Sequence, residues 1–409
     1  MPSNPILVLN SGSSSIKFSI WETANDDRRK LFEGEIEGIG AAKSSGATLW
    51  IKSWLDGADG SKIVDEKPDV EHLSAAFELV AKAITMPSFP RPIAIGHRMV
   101  CGGPTVTENQ RITPALIDEM ERYTAFAPLH TPAAIYIMRK VLDQFPEVPN
   151  FVCLDSWFHR DLPPQTRSLP IPEEYSVIGV RRYGAHGLSY ESIVANLQPR
   201  VPLRLIVAHL GNGSSICAIR DGRSVDTSMG LTPTGGLISA TRTGDIDPGV
   251  VIFILRELVK NETAAEAAAN ELEKVFNRNS GLLGASQLTG DMRALRKAIA
   301  EGNASARLAV DEFVYVLRKF IGAYIAVLGG LDMLVFTGGI GEHDADTRAE
   351  LCAGILHLGV TLDEDRNRAA KGDATISAEN SPVVIRVIPA AEDLSIVRHV
   401  CRLLKTSDS

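Results

Sequence analysis

Apolar residues occur along this chain in two alternating patterns: short unbroken runs and longer stretches with helical spacing. The unbroken runs have the length of buried β-strands and cover residues 6–9, 93–97, 151–154, 205–210, 333–337 and 383–388. Apolar positions spaced three to four residues apart predict helices over residues 73–84, 132–143, 249–261, 264–276 and 306–328. Strands that alternate with helices in this way predict an α/β fold with a largely parallel or mixed sheet.

Two segments far apart in the chain resemble each other. Residues 7–20 and 206–219 each contain a β-rich run, a turn of Gly, Asn and Ser residues, and a second β-rich run. A repeat at this distance indicates two similar domains, and chance similarity between two hairpins is the alternative. The length of 409 residues also favours two domains, because it exceeds what one hydrophobic core usually supports.

The composition excludes several classes of protein. The chain has 42 Lys and Arg against 50 Asp and Glu, a net charge of -8, and it has no basic run, which argues against nucleic-acid binding. Five scattered cysteines without a CxxC pair indicate a reducing compartment rather than a disulfide framework or a zinc site. Because no apolar stretch is long enough to span a bilayer and no signal peptide is evident, we expect a cytoplasmic protein without membrane contact. Only the termini and residues 57–67, rich in Gly, Asp, Ser and Lys, are expected to be disordered.

Three glycine-rich turns follow strand-like runs, at residues 10–15, 209–215 and 336–342. Such turns bind phosphate because their backbone N–H groups converge on an anion. None has the Walker spacing, and none is a GxGxxG followed by an acidic residue about 20 positions on. Any one of these turns could be an ordinary structural turn, so the prediction of phosphate binding depends on the presence of three of them in one chain. Lys17 follows the first turn and is placed either to reach a phosphate or to be a solvated edge lysine.

Two arginines lie among glycines and small residues, where a side chain can point towards a ligand. Arg98 follows a strand-like run, and Arg242 lies in a Thr-Arg-Thr-Gly-Asp segment. Arginine binds carboxylates and phosphates through two parallel hydrogen bonds. A structural salt bridge is the alternative, notably for Arg242, which has Asp245 and Asp247 nearby.

Acidic residues follow two of the predicted strands. Asp155 comes directly after residues 151–154, at the strand end where α/β sheets bind ligands, so it is a candidate general base or magnesium ligand. A helix N-cap is the alternative. Glu392 and Asp393 suit magnesium, which takes one or two protein carboxylates, or else the first turn of a helix. His159 and His186 are the candidate accessible histidines.

Together these motifs resemble the acetate kinase family. The matching segments appear in family order over nearly the whole chain: Leu9-Asn-Ser-Gly-Ser-Ser-Ser15 with Lys17, Gly96-His-Arg98, Pro128-Leu-His130, Asp155 with Phe158-His159, Arg181-Arg-Tyr-Gly184 with His186-Gly187, His209-Leu-Gly-Asn-Gly-Ser-Ser215, Thr241-Arg242 with Gly244-Asp245, Ser280-Gly-Leu-Leu-Gly284, Asp291-Met-Arg293 and Thr337-Gly-Gly-Ile-Gly-Glu342.

The resemblance implies the duplicated, ribonuclease H-like fold of actin and the sugar kinases, with two domains around a nucleotide cleft. It also implies a homodimer. The first domain is expected to take residues 1–158 and 394–409, including the C-terminal helix. The second domain is expected to take residues 159–393 and most of the nucleotide site.

The resemblance further implies roles for individual residues. The catalytic group is expected to be Asp155, Arg98, Arg242 and His186. Arg98 is expected to bind the substrate carboxylate, with an apolar wall from Val100, Leu129 and Pro233. The expected nucleotide-binding residues are Lys17, His209, Asn212, Gly213, Asp291, Arg293, Gly338, Gly339, Ile340 and Gly341. Asn10 and Glu392 are expected to place Mg²⁺, with Mn²⁺ as the alternative ion.

The implied reaction is reversible, in-line transfer of the γ-phosphoryl group of ATP to acetate, giving acetyl phosphate and ADP. The chain departs from the family at Ala185, where a Phe is usual. Because the smaller residue enlarges the expected acyl pocket, propionate and butyrate kinases are alternatives. A non-kinase ATPase of the actin-like fold is a second alternative. The paired arginines argue against it, since such a protein has no need of a second anion site.

Overall fold

Two β-sheets organise the chain, and each belongs to one of two compact units. The computed structural model describes residues 4–12, 15–24, 27–40, 46–55, 60–260 and 264–407. The first unit comprises Met1–Trp157 and Ala391–Ser409, and the second comprises Phe158–Ala390. The sequence-based boundary placed residue 158 in the first unit and residues 391–393 in the second, so Glu392 lies in the other unit from the one expected.

The first unit contains an eight-stranded sheet. Its strands are β1 Pro5–Ser11, β2 Ser15–Ala24, β3 Asp27–Glu37, β4 Thr48–Ser53, β5 Ser61–Glu66, β6 Ala94–Met99, β7 Gln110–Arg111 and β8 Asn150–Leu154. Their order is β5-β4-β3-β2-β1-β6-β8-β7. β1, β2 and β3 form antiparallel pairs, whereas β1, β6 and β8 run parallel. The parallel strands are the almost completely buried apolar runs of the sequence.

The second unit repeats this arrangement in a six-stranded sheet. Its strands are β9 Arg204–Leu210, β10 Ser214–Arg220, β11 Arg223–Thr227, β12 Met333–Thr337, β13 Ala374–Thr375 and β14 Val384–Val387. In the order β11-β10-β9-β12-β14-β13, the first three strands are antiparallel and β9, β12 and β14 are parallel. The five strands β3-β2-β1-β6-β8 and the five strands β11-β10-β9-β12-β14 therefore share one topology. The predicted duplicated α/β fold is confirmed.

Helices cover the sheet of the first unit. They are α1 Leu73–Ile84, α2 Pro114–Glu121, α3 Thr131–Gln144 and, from the far end of the chain, α15 Glu392–Ser407. α15 contacts β1, β6 and β8. It approaches the sheet closely at Gly96, where a Cβ atom would lie 2.4 Å from Ile396 Cγ2 and 2.9 Å from Val400 Cγ2. The C-terminal segment is thus part of the first core.

The second unit has a larger set of helices around the 25-residue helix α11. They are α4 Pro164–Arg167, α5 Glu173–Val177, α6 Gly187–Asn196, α7 Pro248–Lys260, α8 Ala265–Arg278, α9 Gly281–Ser286, α10 Met292–Ala300, α11 Ala304–Leu328, α12 Gly338–His343, α13 Ala345–Ala353 and α14 Glu364–Ala369. Asn303 caps α11 by accepting from Ala306 N–H at 2.9 Å, and left-handed Gly329 ends it. α11 buries nine residues, among them Phe313 and Leu317, in the core of this unit.

One sequence expectation about order was wrong. Residues 57–67 were expected to be disordered, yet β5 forms within them at Ser61–Glu66 and pairs antiparallel with β4; residues 57–59 lie outside the described residues. Five of the six residues of β5 are exposed. The strand is held by backbone hydrogen bonds at a sheet edge, which its composition does not reveal. Among helices in the described parts of the chain, none is long and apolar enough to cross a membrane.

Candidate functional site

Four polar residues of the first unit converge around the guanidinium of Arg98. Arg98 lies in β6, Asn10 in the neighbouring strand β1, Asp155 directly after β8, and Glu392 at the start of α15. Nε and Nη2 of Arg98 donate to Asp155 Oδ2 at 3.2 and 2.8 Å. Nη1 lies 3.0 Å from Glu392 Oε2 and 3.4 Å from Asn10 Oδ1. The ends of adjacent strands bring these four residues together, as strand-end positions in an α/β sheet predict.

The charges in this cluster are largely removed from water. Asp155 is fully buried, and only 18% of the Arg98 side chain is exposed. Burial alone would lower the pKa of the Arg98 guanidinium, but the negative charges of Asp155 and Glu392 outweigh it and raise that pKa. Arg98 is therefore a permanent cation, and deleting it would leave the buried carboxylate of Asp155 without its cation.

The same cluster has the donor chemistry that magnesium requires. Asn10, Asp155 and Glu392 offer amide and carboxylate oxygens, the hard ligands that Mg²⁺ takes alongside water and phosphate oxygens. The described residues contain no group of three or more His, Cys, Asp or Glu side chains arranged to hold a metal ion. The cluster therefore fits an ion held by few protein atoms, and not a site made wholly of protein ligands.

Three further predicted residues lie in the first unit. Lys17 is opposite Asn10 in the β1–β2 pair, and its Nζ is 3.4 Å from Glu35 Oε1, with 56% of the side chain exposed. Val100 is buried just beyond β6, and its carbonyl accepts from Ser156 N–H at 3.1 Å. Leu129 is half-buried in the loop before α3. Val100 thus lies beside the Asp155 segment, and Lys17 lies on an interior strand of the sheet, where its partly exposed side chain pairs with Glu35.

In the second unit, the side chains of Arg242 and His186 meet at Gly213. Gly213 lies in the turn between β9 and β10, and a Cβ there would be 3.1 Å from Arg242 Nη1 and 3.4 Å from His186 Nε2. Arg242 is only 9% exposed, and its Nη1 also lies 3.3 Å from the carbonyl oxygen of Pro233. The missing side chain of Gly213 leaves a space faced by two nitrogens, an arrangement suited to a phosphate oxygen.

The neighbouring residues fix this turn in place. The ring of His209, in β9, stacks on the ring of His186 with centroids 4.2 Å apart and 21° between the planes. The carbonyl of Asn212 accepts from Ala240 N–H at 3.0 Å. The structure thus brings His186, His209, Asn212, Gly213 and Arg242 together, and Pro233 contacts Arg242.

The third glycine-rich turn begins the short helix α12. Gly338 has φ +77°, and a Cβ there would lie 2.8 Å from Leu210 O, so only glycine fits where the ends of β9 and β12 meet. Its N–H donates to Glu342 Oε1 at 3.0 Å, which means that this amide is already paired. Gly339 faces open space, Ile340 is half-buried, and the carbonyl of Gly341 accepts from Arg348 Nη1 at 2.8 Å.

Asp291 and Arg293 form a separate pair at the start of α10. Asp291 is the N-cap, and its carboxylate accepts from Arg293 N–H at 2.9 Å and from Arg293 Nη2 at 2.9 Å. The hydrogen bond from the Arg293 side chain lowers the pKa of Asp291. Arg293 is 92% exposed. The capping role is visible here, and contact with a nucleotide stays a prediction.

His159 is not an accessible histidine, contrary to the sequence-based expectation. It is 2% exposed, with Nε2 3.2 Å from Ala185 O and Nδ1 2.7 Å from Ser224 Oγ. Because a carbonyl only accepts, Nε2 carries the hydrogen, and burial lowers the pKa of the ring to about 4. His159 therefore supports the backbone beside His186 as a neutral ring.

Sequence reasoning missed the hydroxyl groups behind the histidines. Tyr190 is fully buried, and its hydroxyl hydrogen bonds to Ser215 Oγ, which lies 2.8 Å from His186 Nδ1. Tyr190 lies in the first turn of α6, four residues after His186, which is the N-cap of that helix. That spacing was the available signal.

Known proteins resemble this chain over almost its whole length. The sequence profile described as the acetokinase family matches residues 5–398. An acetate kinase of Phocaeicola vulgatus is 38% identical over 98% of this chain and 99% of its own, and one of Clostridium botulinum is 37% identical over 96% and 98%.

Solved structures agree with the sequence comparisons. The acetate kinase of Porphyromonas gingivalis superposes with a TM-score of 0.82 at 32% identity, covering 98% of this chain and 100% of the other. A propionate kinase of Francisella tularensis gives a TM-score of 0.85 at 33% identity, covering 97% and 98%. The resemblance drawn from the sequence motifs is thereby confirmed, and this chain belongs to the acetokinase family.

Proposed function

We propose that this chain transfers the γ-phosphoryl group of ATP to acetate, giving acetyl phosphate and ADP, and catalyses the reverse reaction. It is a phosphotransferase with a carboxyl group as acceptor. The observation that carries the proposal is the convergence of Arg242 Nη1 and His186 Nε2 on the open face of Gly213. Phosphoryl transfer needs positioning and charge neutralisation more than covalent chemistry, and this arrangement supplies both.

In this proposal, residues of both units have roles. Arg242 of the second unit neutralises charge on the oxygens of the phosphoryl group in flight, and His186 donates a hydrogen bond to them. Arg98 of the first unit binds the carboxylate of the substrate, and direct in-line attack by that carboxylate needs no general base. Asp155 therefore acts by orienting Arg98, to which it makes two hydrogen bonds. Nucleotide contacts by Lys17, Asp291, Arg293 and the segment from Gly338 to Gly341 belong to the same proposal.

The partners of Arg98 set a condition on substrate binding. Of its five N–H bonds, two are directed at Asp155, and Nη1 is shared between Glu392 and Asn10. Binding a carboxylate through two hydrogen bonds therefore requires Nη1 to exchange either Glu392 or Asn10 for the substrate. Asn10 and Glu392 are the residues that would hold Mg²⁺, or Mn²⁺ in its place. A bound divalent cation would neutralise charge on the phosphate oxygens.

The test is a hydroxamate assay for acyl phosphate, with ATP, magnesium and acetate, propionate or butyrate as acceptor. We expect acyl phosphate formation that depends on the carboxylate, and an Arg242→Ala variant with turnover lowered ~10²- to 10³-fold. Arg366→Ala, which removes an exposed arginine of α14 from its pairs with Asp363 and Glu379, is the matched control. ATP hydrolysis without carboxylate dependence would instead identify a non-kinase ATPase.

Propionate is the second candidate acceptor because of one residue. Ala185, where the family usually has Phe, is 2% exposed and adjoins His186. A smaller side chain leaves room for a longer acyl group, although one methylene changes the ratio of kcat/KM values by only ~10- to 200-fold. One of the solved structures that this chain resembles is a propionate kinase. Comparing kcat/KM across the three acids decides between them.

We also propose a homodimer and a cytoplasmic location. Helix α7, Pro248–Lys260, is fully described, and none of its residues is buried. Its apolar side chains Ile252 and Phe253 are 50% and 64% exposed. An apolar face of this kind is typical of a subunit interface. All five cysteines are free thiols, as is usual in a reducing compartment.

A further inference from the structure

Consecutive residues of α6 hold the two stacked histidines of the second unit. Ser189 Oγ lies 2.9 Å from Nδ1 of His209. The hydroxyl of Tyr190 hydrogen bonds to Ser215 Oγ, which in turn lies 2.8 Å from Nδ1 of His186. Tyr190 is thus joined through one hydroxyl to the histidine whose Nε2 faces Gly213 and Arg242.

We propose that Tyr190 is a positioning residue for phosphoryl transfer, which acts through Ser215 to keep the hydrogen of the neutral His186 ring on Nε2. This proposal rests on the proposed function only for the identity of the group that Nε2 faces. The serine hydroxyl has one hydrogen to donate. In the proposed arrangement Tyr190 donates to Ser215, Ser215 directs its one hydrogen at Nδ1 of His186, and Nδ1 accepts it without a hydrogen of its own.

The acidity of a phenol favours this direction of the hydrogen bonds, because a tyrosine hydroxyl is a stronger donor than a serine hydroxyl. Tyr190 is fully buried in an apolar cluster with Ile193, Leu205 and Val207, and its ring contacts Phe158. A buried tyrosine hydroxyl needs a hydrogen-bond partner, and the hydroxyl of Ser215 provides one. Both hydroxyls are buried, which shields the bond from water.

The tautomer matters because of what lies at the other ring nitrogen. With its hydrogen on Nε2, His186 presents a donor to the space at Gly213, beside the guanidinium of Arg242. The opposite tautomer would present a lone pair to an anionic phosphoryl oxygen, which is repulsive. A hydrogen bond fixed before the substrate arrives stabilises developing charge without reorganisation in the transition state.

The first test reads the tautomer directly and does not depend on activity. Protein labelled with [15N]histidine is examined by NMR, with the His186 signals assigned from their loss in His186→Asn. We expect wild-type His186 to show a protonated Nε2 and an unprotonated Nδ1, and both Tyr190→Phe and Ser215→Ala to give a mixture of tautomers. A wild-type ring with its hydrogen on Nδ1 overturns the proposal, as does a tautomer unchanged in both variants.

The second test measures steady-state kinetics of acyl phosphate formation. We expect Tyr190→Phe to lower kcat roughly 10- to 100-fold, as outer-shell changes do, with KM for ATP changed by less than about twofold. The double variant with Ser215→Ala should be no slower than Ser215→Ala alone, because both act through one chain of hydrogen bonds.

Tyr324→Phe is the matched control for loss of a buried hydroxyl. Tyr324 is 3% exposed on α11, and its hydroxyl interacts with the carboxylate of Asp226. We expect this variant to lose stability and to keep its kcat. Equal losses of kcat in the Tyr190 and Tyr324 variants overturn the positioning role. If the wild-type protein forms no acyl phosphate, the proposed function fails, while the NMR result still decides the tautomer.

Discussion

At Gly213 the absence of a side chain carries chemical information. A methyl group there would lie 3.1 Å from Arg242 Nη1, closer than nearly all real Cβ contacts. The φ angle of Gly213 is outside the left-handed region, so an alanine meets no backbone strain. The shape of the turn therefore does not require glycine, which gives Arg242 and His186 room to approach; the proposed function assigns the space between these groups to a ligand.

The first prediction follows from this distinction. We expect Gly213→Ala to lower kcat by about 10-fold or more, because the methyl group displaces Arg242 or His186 from the phosphoryl group. The free energy of unfolding should change by less than ~1 kcal/mol, since the backbone accepts alanine. Steady-state kinetics and urea unfolding of the same preparation measure both quantities.

Gly230→Ala serves as the control, because a Cβ at Gly230 would have no atom within 4 Å. Wild-type kinetics in Gly213→Ala, or a loss of activity that merely tracks a loss of stability, would contradict the assignment of the space to a ligand.

At the scale of single elements, the approach of α15 to β6 depends on Gly96. A Cβ at this position would meet Ile396 Cγ2 at 2.4 Å and Val400 Cγ2 at 2.9 Å, both of which belong to fully buried side chains. α15 also carries Glu392, whose carboxylate pairs with Arg98 in the same strand as Gly96. Packing of this helix and the geometry of the Arg98 cluster are therefore connected.

The second prediction concerns this packing. We expect Gly96→Ala to lower the free energy of unfolding by ~1–3 kcal/mol, because it overfills a packed interface. In an Ile396→Ala background the same substitution should cost less, since the clashing Cγ2 is gone. Chemical unfolding of the four proteins of this double-mutant cycle gives the coupling energy. Additive effects would show that the helix moves away without strain.

The elements that the sequence predicted well are those with a clear apolar pattern, either an unbroken buried strand or a helix with one buried face. Residues 333–337 and 73–84 were predicted with the bounds that the structure has for β12 and α1. β5 was missed because four of its six residues are polar and the strand depends on pairing with β4. For the site, the strand ends indicated that Arg98 and Asp155 lie close. The burial of His159 was not visible, because it depends on Ser224 and Ala185, which are distant in sequence.

At the scale of the whole molecule, α7 provides the third prediction, which tests the proposed homodimer. We expect Phe253→Ser with Ile252→Ser to shift the protein from dimer to monomer in sedimentation velocity, because it removes apolar area that a subunit interface would bury. Stability within a unit should hardly change, since both side chains are exposed. Leu308→Ser, at a 55% exposed site on α11, is the control. A monomeric wild-type protein, or an unaffected variant, would refute the interface.

The fourth prediction concerns acid, because each unit contains a buried histidine whose pKa is lowered. Burial lowers the pKa of His97 in the first unit and of His159 in the second from 6.5 to about 4. Between these values the unfolded chain binds a proton that the folded unit does not, so the free energy of unfolding falls as pH falls. Each ring accounts for roughly 3 kcal/mol of the free energy of unfolding over this pH range.

Other buried groups require that each variant be compared with wild type. Burial raises the pKa of Asp393 and of Asp226, and these two groups change the stability with pH in the opposite direction. We expect His97→Gln and His159→Gln to flatten the pH dependence of urea unfolding between about pH 4 and pH 6.5, each in its own unit. Curves that stay parallel to wild type would mean that the two rings have the same pKa in the folded protein as in the unfolded chain.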